Sequence, residues 1–321
     1  MSSPIVVLSF GRSGSTWISD IISKNMGGLL LFEPLHPETC PFPEDACYSD
    51  GYAAEVEERL YAFLRHVLAG RERNRWLLRN HLFTPLEAVS QAYVDMVWDE
   101  TRILGFKEIR ANFMIDWLIA KLNARIVYLV RHPAAVIASL RRRQNFWNEL
   151  GFATHWRLFL EHVVHNPRYF SLLQPYFSLI ESSQSQIERE AVMWAVTHRL
   201  ASEAAKRHNL PIFYYEDFYE RPFVTTRSLI SFLGGDANAL HPAHIFVPSM
   251  TTIRTVHGLT ASESDFASKG WGIFWEDILT PAELERIMQL VAAFDIAEYG
   301  ARGKSPDTRP ERGKARAGKA A

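Results

Sequence analysis

Short apolar runs alternate along this chain with stretches in which apolar residues recur every third or fourth position, the pattern of strands set between helices. Ile5–Phe10 is one such run, and Trp17, Ile18, Ile21 and Ile22 follow at helical spacing in a helix expected from Thr16 to Asn25. Gly27 and Gly28 end that helix, and Leu29–Phe32 reads as a short extended segment. Glu55 to Leu68 reads as a helix, Arg75–Leu78 as a strand, and Pro85 to Trp98 as a further helix. Arg102–Lys107 reads as a buried strand, Asn112 to Leu122 as a helix, and Arg125–Val130 as the clearest strand of all. Pro133 suits the first turn of the helix that follows. Residues 141–210 are helical and rich in aromatic side chains, which suits a helical cap, and Pro211–Tyr215 is the last strand. A helix to about Leu233 and another from Pro281 to Phe294 complete the pattern. Strand, helix, strand in succession predicts an α/β protein with a parallel sheet flanked by helices, residues 1–300 forming a single domain.

The chemistry gathers at the ends of the strands. Between the first strand and its helix stands Gly11-Arg12-Ser13-Gly14-Ser15-Thr16, which reads as a phosphate-binding loop. Consecutive backbone N–H groups and the positive end of a helix dipole can point there at one anion, and Gly11 and Gly14 carry no Cβ to keep it away. An ordinary turn between strand and helix is the plainer alternative. Past the second strand, Glu33-Pro34-Leu35-His36-Pro37 holds Glu33 and His36 on an extended or turning segment, because each proline moves its predecessor away from helical angles. That is where α/β enzymes keep reactive groups, although an exposed proline-rich loop reads equally well from these residues alone. On an extended segment, alternate residues face opposite sides, so Glu33 and His36 are not expected to face an acceptor together. The third strand ends in Lys107-Glu108-Ile109-Arg110. The fourth ends in Arg131, a fixed positive charge where NTP-hydrolysing proteins commonly place a metal-binding Asp.

Composition narrows the class. The 321 residues are 47% hydrophobic and 22% charged, which suits a globular chain with a sizeable core. Net charge is −1, but residues 301–321 hold seven Lys or Arg against Asp307 and Glu311. That basic, Gly- and Pro-containing tail is expected to be disordered. The body is therefore acidic and shows no excess of positive charge, which argues against a nucleic-acid partner. Cys40 and Cys47 are expected to be free thiols, and two sulfurs fall short of a zinc site. No apolar run approaches the ~18 residues of a membrane span, and the first strand begins at Pro4 or Ile5, so a cytoplasmic location is expected.

Four separated pieces resemble the PAPS-dependent sulfotransferases, PAPS being 3′-phosphoadenosine 5′-phosphosulfate. Gly11-Arg12-Ser13-Gly14-Ser15-Thr16-Trp17 resembles the family's 5′-phosphosulfate loop, with Arg12 where cytosolic members usually have Lys. Arg131 and Ser139, eight apart after a strand, resemble its 3′-phosphate pair. Tyr215-Glu216-Asp217, followed by Arg221-Pro222, is similar to its Tyr-Glu-Asp segment, whose Tyr lies near the adenine. Ser268-Lys269-Gly270, then Trp275 and Leu279-Thr280, resembles the element that closes over the 3′-phosphate, with Ser268 in place of Arg. Phe32-Glu33-Pro34-Leu35 is similar to the Golgi carbohydrate sulfotransferases, whose corresponding Glu is regarded as the base.

The resemblance implies a P-loop-type sulfotransferase fold and sulfuryl transfer from PAPS to the hydroxyl of a carbohydrate or small-molecule alcohol. Arg12 and residues Ser13, Gly14, Ser15, Thr16 and Trp17 would hold the 5′-phosphosulfate. Arg131, Ser139, Lys269 and Gly270 would grip the 3′-phosphate, with Tyr215 near the adenine. Glu33 or His36 would serve as base, and Lys107 would either assist at the sulfuryl group or form a structural ion pair. A transferring sulfuryl group carries less negative charge than a phosphoryl group, so cationic side chains and backbone amides suffice without a metal. A P-loop kinase is the alternative, but Ser15 stands where its Lys would follow Gly14. A non-catalytic nucleotide-binding protein is a second alternative, against which the pairing of Glu33 with Arg12 argues.

Overall fold

Runs such as Ile5–Ser9 and Arg125–Val130 can be buried on both faces only in a sheet covered on both sides. A computed structural model of the chain describes residues 3–81, 88–142, 151–246, 275–296 and 298–299. Among these, the strands β1 (Ile5–Ser9), β2 (Leu29–Phe32), β3 (Ile103–Glu108), β4 (Arg125–Val130) and β5 (Ile212–Tyr214) form one sheet in the order β2-β3-β1-β4-β5. Every pairing is parallel. The helices of eight or more residues are α1 (Ser15–Met26), α2 (Ala54–Leu68), α3 (Gln91–Glu100), α4 (Ile115–Leu122), α5 (Pro133–Arg142), α6 (Phe152–Phe159), α7 (Gln186–Arg207), α8 (Pro222–Phe232) and α9 (Pro281–Ala293).

Alternate strand residues divide between two cores, as the two-residue period requires. Val6, Leu8, Leu31, Phe106, Ile126 and Tyr128 face the larger one, with Trp117 of α4, Ile137 of α5, Trp194 of α7 and Leu290 of α9. Ile5, Val7, Leu30, Leu104, Val127 and Leu129 face the smaller one, with Ile18 and Ile21 of α1 and Leu229 of α8. The helical stretch expected as a cap thus contributes α7 to the core beneath the sheet.

Strand β3 lies so close to β1 that a Cβ added to Gly105 would sit 1.8 Å from the carbonyl oxygen of Ile5. No rotamer relieves a clash with backbone. Gly105→Ala is therefore expected to cost at least about 3 kcal/mol of folding stability, measurable by urea unfolding; wild-type stability would refute this packing.

The stretch Arg75–Leu78 is a turn rather than the expected strand. The Asn74 carboxamide oxygen accepts from Leu77 N at 3.1 Å, and Arg79 N reaches Trp76 O at 3.0 Å, which curls the chain. One strand-like bond survives, Phe32 N to Leu77 O at 2.8 Å. Helix α3 begins at Gln91, not Pro85, because Ser90 accepts from Tyr93 N at 3.2 Å and so caps it; residues 82–87 lie outside the described residues. The helix expected from Asn112 opens with a 3₁₀ turn, Asn112–Met114, before α4. Cys40 and Cys47 are buried free thiols. Among the described residues no helix is long and apolar enough to cross a membrane. The tail at 301–321, together with Lys269 and Gly270, lies outside the described residues.

Candidate active site

Because the sheet is parallel, all its strands end on one edge, and the crevice beyond those ends is where open α/β sheets place their chemistry. The chain leaves β1 through Phe10–Gly14, β2 at Glu33, β3 at Lys107 to Arg110, β4 at Arg131 and β5 at Tyr215. Fold topology alone brings these segments together.

The loop after β1 folds tightly. Ser13 N donates to Phe10 O at 3.3 Å, and Arg12 and Gly14 both take positive φ, 69° and 87°. Gly14 is required for a second reason: a Cβ there would lie 2.4 Å from Cε2 of Tyr215. No side chain caps the N-terminus of α1, so its first N–H groups are turned toward the loop and can receive an anion. Ser13 is buried, and its Oγ has no hydrogen-bond partner among the described residues.

Two arginines meet behind the loop. Arg12 donates through Nε to Ser139 Oγ at 3.0 Å, and Arg131 donates through a guanidinium nitrogen to the Arg12 carbonyl at 3.1 Å. The Arg131 guanidinium stands 4.5 Å above the ring of Tyr215, whose edge packs against Gly14. Arg131 and Ser139 are themselves buried. The structure therefore joins Arg12, Gly14, Arg131, Ser139 and Tyr215 in one cluster. Trp17 adjoins the cluster through Tyr215, whose ring its indole meets edge-on at 5.7 Å; the indole donates to Ile245 O at 3.2 Å and belongs to the smaller core. Ser15 and Thr16 open α1, where their backbone amides face the loop.

On the other side of β3, Glu33 is 6% exposed and held by two cations. Its Oε1 pairs with Lys107 Nζ, and its Oε2 lies 3.1 Å from the Arg110 guanidinium. Burial works to raise its pKa, but Lys107 and Arg110 outweigh burial and hold it at about 2. Burial draws the Lys107 ammonium below its usual value, with Glu33 opposing. Two cations share one carboxylate, so Glu33 stays ionised. Glu33 also takes φ 40°, an unusual angle for a residue with a Cβ.

Glu108 supplies the frame. Its carboxylate accepts from Leu35 N at 2.8 Å, Ile109 N at 2.8 Å and Arg110 N at 3.1 Å, fastening the segment after β2 to the end of β3. The 33–36 segment is a turn, His36 N donating to Glu33 O at 3.0 Å, so strand alternation does not separate the two side chains as expected. His36 Nδ1 accepts from Glu38 N at 3.1 Å, which places the proton of the neutral ring on Nε2, and the ring stacks on Trp76 at 3.7 Å.

Sequence reasoning gave no role to Arg110, Glu108 or Glu216. The signal for the first two was present: a basic-acidic alternation, Lys107-Glu108-Ile109-Arg110, directly at a buried strand end. Glu216 accepts from His132 N at 2.8 Å and from Tyr299 OH at 3.0 Å, tying the ends of β4 and β5, while His132 stacks on Trp275 at 4.5 Å. Thr280 caps α9 through Glu283 N at 3.3 Å.

Burial pushes Glu216 and Asp20 up to about 7. A carboxyl raised in the folded state binds its proton more tightly there, so stability falls as pH rises from the unfolded value through the folded one. Glu33 has the opposite sign, its contribution being lost as pH falls from about 4.5 to about 2. Melting temperature is expected to peak near pH 5 and decline toward pH 7, with Glu216→Gln flattening that decline. A flat wild-type profile would refute these assignments.

The parallel sheet thus gathers at its strand ends a Gly/Ser loop, the half-buried Arg12 beside the buried Arg131, and a carboxylate held by two cations, an α/β arrangement. The chain belongs to the sulfotransferase domain family, whose model matches residues 2–294, and this membership supports sulfuryl transfer in general. Among solved structures it is similar to the sulfotransferase domain from the Synechococcus PCC 7002 olefin synthase, at 18% identity over 92% of this chain and 95% of that one, TM-score 0.43. It is also similar to the sulfotransferase domain from the curacin biosynthetic pathway, at 17% identity over 91% of this chain and 98% of that one, TM-score 0.46. No curated protein matches the sequence.

Proposed function

We propose that this protein moves a sulfuryl group from PAPS to the hydroxyl of a carbohydrate or small-molecule alcohol by in-line transfer. The observation that carries this reading is the cluster of Arg12, Ser139, Arg131 and Tyr215 beside the uncapped start of α1. The residues fit the donor's two charged ends. Backbone amides from Ser13 to Thr16 hold the 5′-phosphosulfate, and Arg12 stabilises charge developing on the leaving phosphate oxygen. Arg131 and Ser139, with Lys269 and Gly270, hold the 3′-phosphate, and Tyr215 lies beside the adenine. The cations supply the charge stabilisation that a metal would otherwise give.

Glu33 takes the proton of the acceptor hydroxyl as the oxygen–sulfur bond forms. A carboxylate held near pKa 2 is a weak base, so its restraint by Lys107 must loosen first. Lys107 does both tasks in one movement: turning its ammonium to the sulfuryl oxygens neutralises them and restores basicity to Glu33. Arg110 stays behind and keeps the carboxylate oriented. Glu33 is preferred to His36 for this role because His36 Nδ1 already accepts from Glu38 N.

The test is transfer of radiolabelled sulfuryl group from PAPS to an alcohol-rich extract of the source organism, with mass identification of the labelled product. Label is expected in a sulfate ester without added metal. Turnover of ATP with Mg²⁺ and none of PAPS would overturn the reading.

A further inference from the structure

One cavity shares no lining residue with the cluster at the strand ends. It has a volume of about 250 Å³ and sits among α6, the π-helical turn Leu160–Val164, the short helix Phe177–Ser182 and the first turns of α7. A π-turn carries one residue more than an α-turn, and such turns are frequent at binding sites because the extra residue opens the helix surface. Here that turn supplies Leu160 and Val164 to the wall. Trp156, Phe177 and Ile180 complete the apolar part of the wall, and His165, Ser183, Glu181 and Arg189 form its polar part.

Arg189 is the one cation of α7 that lines this cavity. Its Nε donates to Ser183 O at 3.2 Å and its guanidinium stands 5.4 Å from the Trp156 ring, so the side chain is oriented by one bond and one stacking contact. Among the described residues, Arg189 forms no ion pair with a carboxylate; its neighbour Glu188 is taken by Arg286 at 2.8 Å, and Glu190 accepts from Gln186 at 3.0 Å. A guanidinium in contact with an apolar hollow favours a negative head attached to an apolar body. Glu181, exposed and also in the lining, opposes a second negative charge.

We infer that this cavity is a second small-molecule site, which takes an amphipathic monoanion with its apolar body against Trp156, Leu160, Val164 and Phe177 and its head on Arg189. Size agrees: an apolar cavity of about 150 Å³ accepts benzene, so this one has room for a ring with a short arm or a chain of about eight carbons. The inference stands independently of the sulfuryl-transfer reading, since no residue is shared between the two sites.

Calorimetric titration of the full chain with octanoate, and separately with octanol, tests it. Octanoate is expected to bind with Kd of about 0.1–1 mM, and octanol at least about tenfold more weakly. Arg189→Gln should weaken octanoate about tenfold and leave octanol unchanged, with adenosine 3′,5′-bisphosphate binding as in the wild type. Leu160→Trp, which fills the cavity, should abolish binding of both alcohol and acid. If that variant does not fold, the ratio of octanoate to octanol affinity in the wild type and in Arg189→Gln decides alone. No heat with octanoate up to about 10 mM, equal affinity for the two probes, or an unchanged Arg189→Gln would each overturn the proposal. So would loss of bisphosphate binding in Arg189→Gln, because the sites would then not be separate.

Discussion

Glu33→Gln is expected to lower turnover by ~10²–10⁴-fold, the usual cost of losing a general base, with donor affinity close to wild type. The substitution keeps size and hydrogen bonding but removes the charge that Lys107 and Arg110 surround. Lys107 then loses its carboxylate partner and Arg110 keeps only Glu108, at 3.6 Å, so some stability is lost as well, and turnover must be compared at a temperature where both proteins are folded. Donor titration separates the roles: a base acts on the acceptor, so the bisphosphate should bind unchanged. His36→Ala serves as the comparison. Its ring is stacked on Trp76 and its Nδ1 is engaged, so its removal should disturb the turn and reduce turnover much less. If His36→Ala abolished turnover while Glu33→Gln stayed near wild type, the role would pass to His36.

Arg131→Ala should weaken adenosine 3′,5′-bisphosphate by about 2–4 kcal/mol, roughly 30- to 700-fold, while AMP affinity changes little. The difference between the ligands is the 3′-phosphate, which a buried guanidinium can hold by charge-assisted hydrogen bonds. Arg131 also supports the loop through the Arg12 carbonyl, and AMP monitors that second task. Equal loss for both ligands would show that Arg131 shapes the loop and does not read the 3′-phosphate. Wild-type protein that bound AMP as tightly as the bisphosphate would sink the assignment outright.

The stretches that local pattern describes best are those whose structure depends on near neighbours. Ile5–Phe10 and Arg125–Val130 are largely β-branched and aliphatic runs that suit a covered parallel sheet, and both are strands, the first ending at Ser9. The loop Phe10–Gly14 was legible because Gly14 must take positive φ before a helix can start at Ser15. Where a single side chain outweighed the pattern, reading failed: the Asn74 carboxamide turned Arg75–Leu78, and the Ser90 hydroxyl moved a helix start six residues along.

The site was legible only as separate strand ends. Sequence determined which residues could carry charge, and that Arg12, Glu33, Lys107 and Arg131 each stand just past or at the end of an apolar run. Tertiary structure decided who meets whom. Because β2 pairs with β3 and β3 with β1, Glu33 meets Lys107 and Arg110, 74 and 77 residues away, and comes under charges that hold it at about 2. Because β4 lies on the other side of β1, Arg131 reaches the Arg12 carbonyl and Ser139 the Arg12 guanidinium. The same holds for Glu216 between His132 and Tyr299. Periodicity and turn chemistry act over a few residues, whereas the field at a buried carboxylate depends on charges a few ångströms away in space, and only strand order and register set that distance.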